Sequence, residues 1–255
     1  MTTISIRGLA IGAGIPKIIA PITGCDETQI LAQAAAFAGA PADIAEWRAD
    51  FYTGAHNIEQ TLHLAAELRR VLGDKPLLFA YRSQTDGGCG DMDNEAYTLL
   101  NQRIAAGGTV DLVDVEWQRG AELMRGNIAA IHAAGCYAVG SSHDFAATPP
   151  QAEIVARLRA MQELGADVLK IAVTPKCAAD VLTLMSASLE MKQRYARRLL
   201  LTISMGELGK FSRIAAELSG SAMTFGAVGD PSAPGQLPAQ ELAPLLRLLH
   251  NANEA

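Results

Sequence analysis

The feature that most constrains the fold is a regular alternation of short apolar runs with longer segments of helical periodicity. Strand-like runs that each precede a helix are typical of βα units around a parallel sheet. About eight such runs occur in 255 residues, the number that a (β/α)8 barrel needs, so we predict an α/β protein with a single (β/α)8 TIM barrel. The runs are KIIAPIT from Lys17, ADIAEWRAD from Ala42, PLLFAYRS from Pro76, VDLVDVEW from Val110, CYAVGSSH from Cys136, DVLKIAV from Asp167, LLLTISM from Leu199 and SAMTFG from Ser221.

The segments between these runs predict helices, because their apolar residues recur at intervals of three and four. Glycines Gly135 and Gly165 stand where two of the helices should end before the next strand. Residues 1–16, with ISIRGLAIGAG, predict a small hairpin that closes the bottom of the barrel, and residues 1–255 together form one predicted domain. The clearest helical segments are NIEQTLHLAAELRRVL from Asn57, EIVARLRAMQEL from Glu153, ADVLTLMSASLEMKQRYA from Ala179 and PAQELAPLLRLLHNA from Pro238.

Composition and charge narrow the possible partners. The formal net charge is -6 and basic residues cluster only in pairs, which excludes an obvious nucleic-acid or anionic-membrane surface. No apolar run is long enough to span a bilayer and MTTISIRGLA does not resemble a signal peptide, so we expect a cytoplasmic protein. The four scattered cysteines indicate reduced thiols, with neither a metal site nor a dinucleotide-binding glycine loop in the sequence.

Charged or titratable side chains stand near the ends of five consecutive predicted strands, where barrel enzymes carry their chemistry. Taken singly, Glu46 with Arg48 is more simply explained as a structural ion pair, and the same explanation covers Asp114 and Glu116. Taken together, so many buried charges are a poor way to stabilise a barrel, and we interpret the set as an active site. The set comprises Glu46, Arg48, Arg82, Asp114, Glu116, His143 and Lys170.

Lys170 lies inside the apolar stretch GADVLKIAV, where a charged amine is costly unless it is paired or chemically used. A strand period of two places Val168, Lys170 and Ala172 on one face, so the lysine should point into the barrel. Burial near an arginine favours a neutral amine, which can attack a ketone and form an imine. An imine acidifies the adjacent carbon, and His143 on the neighbouring strand is the natural base.

The segment after the seventh strand predicts an anion site and a loop above it. Arg213 stands near the start of a helix, where its guanidinium can hold a carboxylate by two hydrogen bonds. The stretch GAVGDPSAPGQ, residues 226–236, fits a plain surface loop and an active-site lid equally well.

These residues and motifs resemble those of the type I 3-dehydroquinate dehydratases, Schiff-base enzymes of the shikimate pathway. The resemblance runs from Lys17 to His250 through EWRADF, YRSQTDGG, SSHDFAATP, GADVLKIAV, ISMGELGKFSR, GSAMTFG and SAPGQ, in that order. It implies dehydration of 3-dehydroquinate to 3-dehydroshikimate without metal or organic cofactor, in a homodimer whose lid closes over the substrate. The same reaction serves aromatic amino acid biosynthesis and quinate breakdown, and the sequence fits both.

The resemblance also implies a role for each site residue. Lys170 would form the imine, and His143 would take the proton from the neighbouring carbon and then protonate the departing hydroxyl. Arg213, with Ser232 and Gln236, would hold the substrate carboxylate. The substrate hydroxyls would contact Glu46, Arg48 and Arg82, and apolar walls would come from Met205 and Phe225.

The chain departs from the family pattern at Asp86, where the family usually has a glutamate that orients and charge-tunes the histidine. Aspartate is one methylene shorter, so we expect it to reach His143 only through water or after a backbone shift. Because the carboxylate is retained, we predict an active enzyme. A second departure is Pro21, where the first strand commonly ends in serine, and we expect little effect from it.

Two other interpretations remain open from the residues alone. A class I aldolase or transaldolase would use the same lysine, but these enzymes mostly bind phosphate through helix N-termini, whereas an arginine and a Ser/Gln loop suit a carboxylate. An inactive relative that binds a cyclohexane carboxylate is favoured only by Asp86, and the presence of both Lys170 and His143 argues against it.

Overall fold

The structure, a computed structural model, describes residues 2–231 and 233–254. Within that range nine parallel strands form one curled sheet and two antiparallel strands form a separate hairpin. All eight runs predicted as strands are strands. The strands are β1 (Ile4–Ile6), β2 (Leu9–Ile11), β3 (Lys17–Ile22), β4 (Ile44–Arg48), β5 (Leu77–Ala80), β6 (Leu112–Glu116), β7 (Tyr137–Asp144), β8 (Val168–Val173), β9 (Leu199–Ser204), β10 (Met223–Ala227) and β11 (Leu237–Pro238).

Helices follow the barrel strands, and the four helices singled out in the sequence are present with ends shifted by one or two residues. Asp26, Asn57 and Asp93 cap three helices by accepting a hydrogen bond from an amide in the first turn. Arg213, expected near the start of a helix, is the fourth residue of a helix of only five. The helices are α1 (Glu27–Ala38), α2 (Ile58–Leu72), α3 (Asn94–Ala106), α4 (Ala121–Ala133), α5 (Gln151–Glu163), α6 (Ala178–Arg194), α7 (Lys210–Ile214) and α8 (Ala239–Glu254).

The sheet runs in the order β11-β10-β3-β4-β5-β6-β7-β8-β9, and every neighbouring pair in it is parallel. Its ends approach each other between β9 and β10, where the amide of Ala222 donates to the carbonyl of Leu200 at 2.8 Å. The amide of Thr202 donates to Oγ of Ser221 at 3.0 Å across the same gap. The curled sheet is thereby an α/β TIM-barrel-like fold, as predicted.

Apolar residues form one core inside the sheet and another between the sheet and its helices. On β8, Leu169 and Ile171 pack in the outer core while Val168 and Ala172 pack in the inner one. Lys170 therefore points inward, as the period of two predicts. The hairpin contributes Ile6 and Ile11 to the inner core beside residues such as Leu112 and Val168 at the starts of strands, so it closes the bottom.

Aspartates at the bottom of the barrel join the strands in pairs. Asp43 precedes β4 and accepts from the amide of Ile18 in β3 at 2.8 Å. Asp111 precedes β6 and accepts from Leu77 in β5 at 2.8 Å, and Asp167 precedes β8 and accepts from Ala138 in β7 at 2.9 Å. Each carboxylate accepts a hydrogen bond from a backbone amide at the start of the preceding strand, and thereby satisfies that amide where the ladder between the strands begins.

No helix in the described ranges is long and apolar enough to cross a membrane.

Candidate active site

A cavity of about 150 Å³ opens at the carboxyl ends of the barrel strands. This volume is small beside the roughly 300–1,000 Å³ of drug-sized pockets and suits a compact ligand. Ten of the predicted site residues line the cavity: Glu46, Arg48, Arg82, Asp86, His143, Lys170, Met205, Arg213, Phe225 and Gln236. Asp114 and Glu116, also in the predicted set, pair with Arg82 without lining the cavity. Ser232, the remaining predicted residue, lies outside the described residues.

Lys170 is buried on β8 with its amine turned into this cavity. Its Nζ lies 3.2 Å from Oε1 of Glu46 and 3.7 Å from Oδ2 of Asp114. The ring of Phe225 lies on another side, with its centroid 4.8 Å from Nζ. The arginine that the sequence predicts near the lysine is Arg82, which shares Oδ2 of Asp114 with Nζ, while the ion-pair partners of Nζ itself are carboxylates.

His143 faces the same cavity from the neighbouring strand. It pairs with Ala172, two residues beyond Lys170 on the same inward face of β8. Its Nδ1 lies 2.7 Å from Oδ2 of Asp86, and its amide donates to Oδ1 of that carboxylate at 3.3 Å. Burial lowers the pKa of His143 below its ordinary value, with Arg82 and Lys170 acting in the same direction and Asp86 opposing them.

Asp86 therefore contacts His143 directly, so of the two expected routes the one through water is wrong. The reason is the short helical turn of residues Gln84–Asp86, which carries the carboxylate inward. Gly87 follows with φ of 81°, and a Cβ on Gly88 would stand 2.2 Å from the carbonyl oxygen of Arg82. Only residues without a side chain let the loop fold this closely on itself.

Arg82 sits behind this pair as the centre of a buried charge network. Its Nη1 donates to Asp86 at 3.1 Å and to Glu116 at 3.2 Å, and its Nη2 donates to Asp114 at 2.7 Å. Burial by itself would lower the pKa of Arg82, but the three carboxylates raise it well above its ordinary value. Burial would likewise raise the pKa of Asp114, yet Arg82 and Lys170 lower it to about 2.

This network joins the two reactive groups. A path of ion pairs runs from Lys170 through Asp114, Arg82 and Asp86 to His143. Ser141, which pairs with Lys170 across the strands, supports it by donating to Oδ1 of Asp114 at 2.6 Å. Because charges interact strongly in a buried site, a proton gained or lost at one end affects the other.

Glu46 and Arg48, taken singly, are most simply explained as a structural ion pair, but they do not form one. Glu46 contacts Lys170, whereas Arg48 makes two hydrogen bonds of 2.8 Å to Asp50. Asp114 and Glu116 are engaged in ion pairs, both with Arg82. The charged residues at the strand ends thus serve one connected site.

Arg213 lies buried across the cavity with weaker contacts. Its Nη1 and Nη2 approach the carbonyls of Phe225 at 3.5 Å and Pro234 at 3.4 Å, and its Nε has no hydrogen-bond partner. Among the residues that the structure describes, none presents a carboxylate to this guanidinium. Burial lowers the pKa of Arg213 to about 10. A buried guanidinium with unused donors is suited to an anionic ligand.

The loop of residues 226–236 passes over this side of the cavity. Ala233, Pro234 and Gln236 line the cavity, and the amide of Gly206 donates to the carbonyl of Pro234 at 3.1 Å. Gln236 is buried. The loop therefore covers the site instead of extending away from it. Of the two interpretations of this stretch, a plain surface loop and an active-site lid, this position favours the lid.

Sequence reasoning missed two residues that belong to this site. Phe145 stacks on His143 with ring centroids 6.1 Å apart and planes at 16°. Asp50, fully buried, holds Arg48. Each stands two positions after a predicted site residue and just past the end of a strand, so a search of the residues that follow the strand ends would have indicated both.

A buried lysine and a histidine–carboxylate pair that face one barrel cavity are the groups used in imine formation and in general acid–base catalysis, which indicates an enzyme. Within the described ranges no group of three or more His, Cys, Asp or Glu is placed to hold a metal. The chain matches the family model for type I 3-dehydroquinase over residues 18–253 and belongs to that family. This membership separates it from the aldolases and transaldolases considered above.

Individual relatives agree with the family. The 3-dehydroquinate dehydratase of Salmonella agona is 43% identical over 252 residues, covering 99% of this chain and all of the relative. The crystal structure of a type I 3-dehydroquinate dehydratase from Clostridium difficile has a TM-score of 0.96 and 42% identity, covering 98% of this chain and 99% of the other. The enzyme from Geobacillus kaustophilus has a TM-score of 0.95 and 35% identity, covering 98% and 97%.

Proposed function

We propose that this chain dehydrates 3-dehydroquinate to 3-dehydroshikimate through an imine on Lys170. The observation that carries the proposal is the position of Lys170 and His143 on adjacent strands that open into one cavity, with Asp86 from a neighbouring loop bonded to the histidine. The family membership and the similarity to a 3-dehydroquinate dehydratase along the whole chain support the substrate.

In the first stage the amine of Lys170 attacks the ketone carbon of the substrate. A C–N bond forms and the carbonyl oxygen leaves as water with two of the three protons of the lysine ammonium group, so the nitrogen keeps one proton and carries the positive charge of a protonated imine. Asp114 and Glu46 lie within 4 Å of that nitrogen and stabilise this charge. The C. difficile relative, whose crystal structure contains covalently modified comenic acid, supports a covalent step.

In the second stage His143 moves the protons. Since Nδ1 is held by Asp86, we assign the proton of the neutral ring to Nδ1 and leave Nε2 as the base. Nε2 takes a proton from the carbon beside the imine, and the electron pair of that C–H bond neutralises the iminium to an enamine. The enamine then expels the β-hydroxyl, which leaves as water with the proton from Nε2. Hydrolysis of the resulting imine releases the product and restores the lysine.

Binding of the substrate is proposed to depend on the rest of the cavity. Arg213 offers buried donors to the carboxylate, and Ser232 and Gln236 would assist it as the family resemblance implies. Glu46 and Arg48 would contact hydroxyls, with Met205 and Phe225 as apolar walls. Arg82 lines the cavity but both its Nη atoms are bonded to carboxylates, so we propose that it contributes mainly by holding Asp86 and Asp114.

The test is chemical trapping of the imine. The protein is mixed with 3-dehydroquinate, borohydride is added, and the intact mass and labelled peptide are read. We expect a substrate-derived adduct on Lys170, its loss in Lys170→Met, and its retention in Lys210→Met, which changes an exposed lysine paired with Glu207. A folded protein that leaves the substrate intact and carries no adduct would refute the mechanism and favour the binding-protein interpretation.

Three features implied by the resemblance or the composition stay predictions: the homodimer, the closing movement of the 226–236 loop and the cytoplasmic location. Sedimentation equilibrium of the purified chain decides the first of them. The single-domain organisation of residues 1–255 is likewise proposed, and a single cooperative unfolding transition would support it.

A further inference from the structure

Asp50 is a buried carboxylate whose contacts reach both halves of the candidate site. It lies in the short helical turn Ala49–Phe51 directly after β4, and its side chain is 0% exposed. Its Oδ1 accepts from Nε of Arg48 at 2.8 Å and from the amide of Arg82 at 3.2 Å. Its Oδ2 accepts from Nη2 of Arg48 at 2.8 Å and from the amide of Cys89 at 3.1 Å.

The two backbone contacts hold the loop that presents Asp86. Arg82 and Cys89 are the two ends of this loop, and Asp86 stands between them. The loop is internally compact, since the amide of Gly88 donates to the carbonyl of Ser83 at 2.8 Å and the amide of Gly90 to that of Arg82 at 2.9 Å. A compact loop moves as a body, so its attachment to β4 through Asp50 decides where the Asp86 carboxylate stands.

The two contacts from Asp50 to Arg48 fix the orientation of the Arg48 guanidinium at the cavity. A bidentate pair of guanidinium and carboxylate constrains the plane and the direction of the arginine. Arg48 lines the cavity and its side chain is 12% exposed, so its remaining donors face the space for the substrate. Burial by itself would raise the pKa of Asp50, but Arg48 and the two amides lower it, which keeps the carboxylate charged.

We propose that Asp50 is a positioning residue that couples the substrate-facing guanidinium of Arg48 to the loop carrying Asp86. One carboxylate thereby sets both the hold on the substrate and the orientation of the acid/base histidine. Glu116 assists on the far side of the loop, where it accepts from the amide of Ser83 at 2.8 Å, but it has no contact with Arg48 among the described residues. The coupling of the two halves therefore belongs to Asp50. The kinetic part of this inference rests on the proposed function.

The first test is Asp50→Asn, which keeps the shape but directs an NH2 group toward donors. We expect KM to rise because Arg48 is released, and kcat to fall by at least about tenfold because the histidine loses its alignment. The matched control is Asp111→Asn at the opposite end of the barrel. Asp111 also binds two arginines, Arg7 and Arg69, and a backbone amide, so its loss should lower stability while kcat and KM stay unchanged.

A second readout needs no substrate. The charged groups that face His143 are Asp86 from the loop, Arg82 from the end of β5 and Lys170 from β8, and among them only Asp86 raises its pKa. In Asp50→Asn the Asp86 contact weakens, so the histidine should titrate at lower pH by NMR than in the parent protein and in Asp111→Asn. A merely structural role for Asp50 would leave this titration unchanged.

The outcomes separate the two proposals. If the parent protein neither dehydrates 3-dehydroquinate nor forms an adduct, the proposed function fails while the NMR titration still tests Asp50. If Asp50→Asn and the control Asp111→Asn have the same kcat, the same KM and the same titration of His143, the positioning role is refuted. Should Asp50→Asn not fold, Asp50→Glu retains the charge but displaces both oxygens by one methylene. It should fold with reduced kcat, and parent-like kinetics in that variant would equally refute the role.

Discussion

At the scale of single residues, the carboxylate beside His143 is one methylene shorter than the family pattern. The family usually has glutamate where this chain has Asp86, and the shorter side chain nevertheless lies 2.7 Å from His143 and 3.1 Å from Arg82. A helical turn and two following glycines bring the loop close to the cavity, which places the carboxylate of Asp86 within reach of the histidine. The side chain and the loop thus fit each other as a pair.

The prediction at this scale concerns Asp86→Glu. Because the aspartate already makes the direct contact, the longer carboxylate gains no new interaction, and we expect kcat to change by less than about tenfold, or under ~1.4 kcal/mol of barrier. Steady-state kinetics with Asp74→Glu, a surface change, as the control measures this. A gain of orders of magnitude in kcat would mean that aspartate is an inadequate substitute.

At the scale of elements, the strands are placed by apolar patterning and joined at their starts by polar side chains. Asp43, Asp111 and Asp167 each bridge from the start of one strand to the amide of the strand before it. The contact recurs at every second strand, so the bottom of the barrel is built from pairs of βα units. The top, where the chemistry lies, uses its carboxylates for the buried network instead.

We predict that Asp43→Ala destabilises the barrel without affecting catalysis. The buried amide of Ile18 loses the acceptor it has in Asp43, so the free energy of unfolding should fall by about 1–3 kcal/mol. Urea unfolding measures the change, with Asp74→Ala on the surface as the comparison. Equal stability of the two variants, or a loss of kcat in Asp43→Ala, would contradict this structural role.

At the scale of the whole molecule, buried titratable groups couple stability to pH. The pKa of His143 is lowered in the fold, as are those of Asp86 and Asp114, the last to about 2. Below the pKa that each group has in the unfolded chain, the unfolded state binds more protons than the folded one. Acidification therefore lowers the free energy of unfolding through each of these three groups.

We predict that the free energy of unfolding falls in two stages as the pH is lowered. The first begins below about pH 6.5, where the histidine of the unfolded chain gains its proton, and the second runs from about pH 4 toward pH 2 for the aspartates. Urea unfolding between pH 8 and pH 3 follows both stages. His143→Gln should diminish the first stage and the exposed His63→Gln should retain it; identical curves for both variants would contradict the assignment.

The sequence by itself determined the eight strands, the closing hairpin, the inward direction of Lys170 and the charged residues at the strand ends. These follow from local patterns, since the side-chain period of a strand and the position of strand ends are set within a few residues. Only the tertiary structure decided the long-range partners of the charges: Glu46 with Lys170, and Arg82 with Asp114 and Glu116. The direct contact of Asp86 with His143 joins residues 57 positions apart. Ion pairs and loop positions of this kind depend on which strands become neighbours when the sheet curls, and no local pattern contains that information.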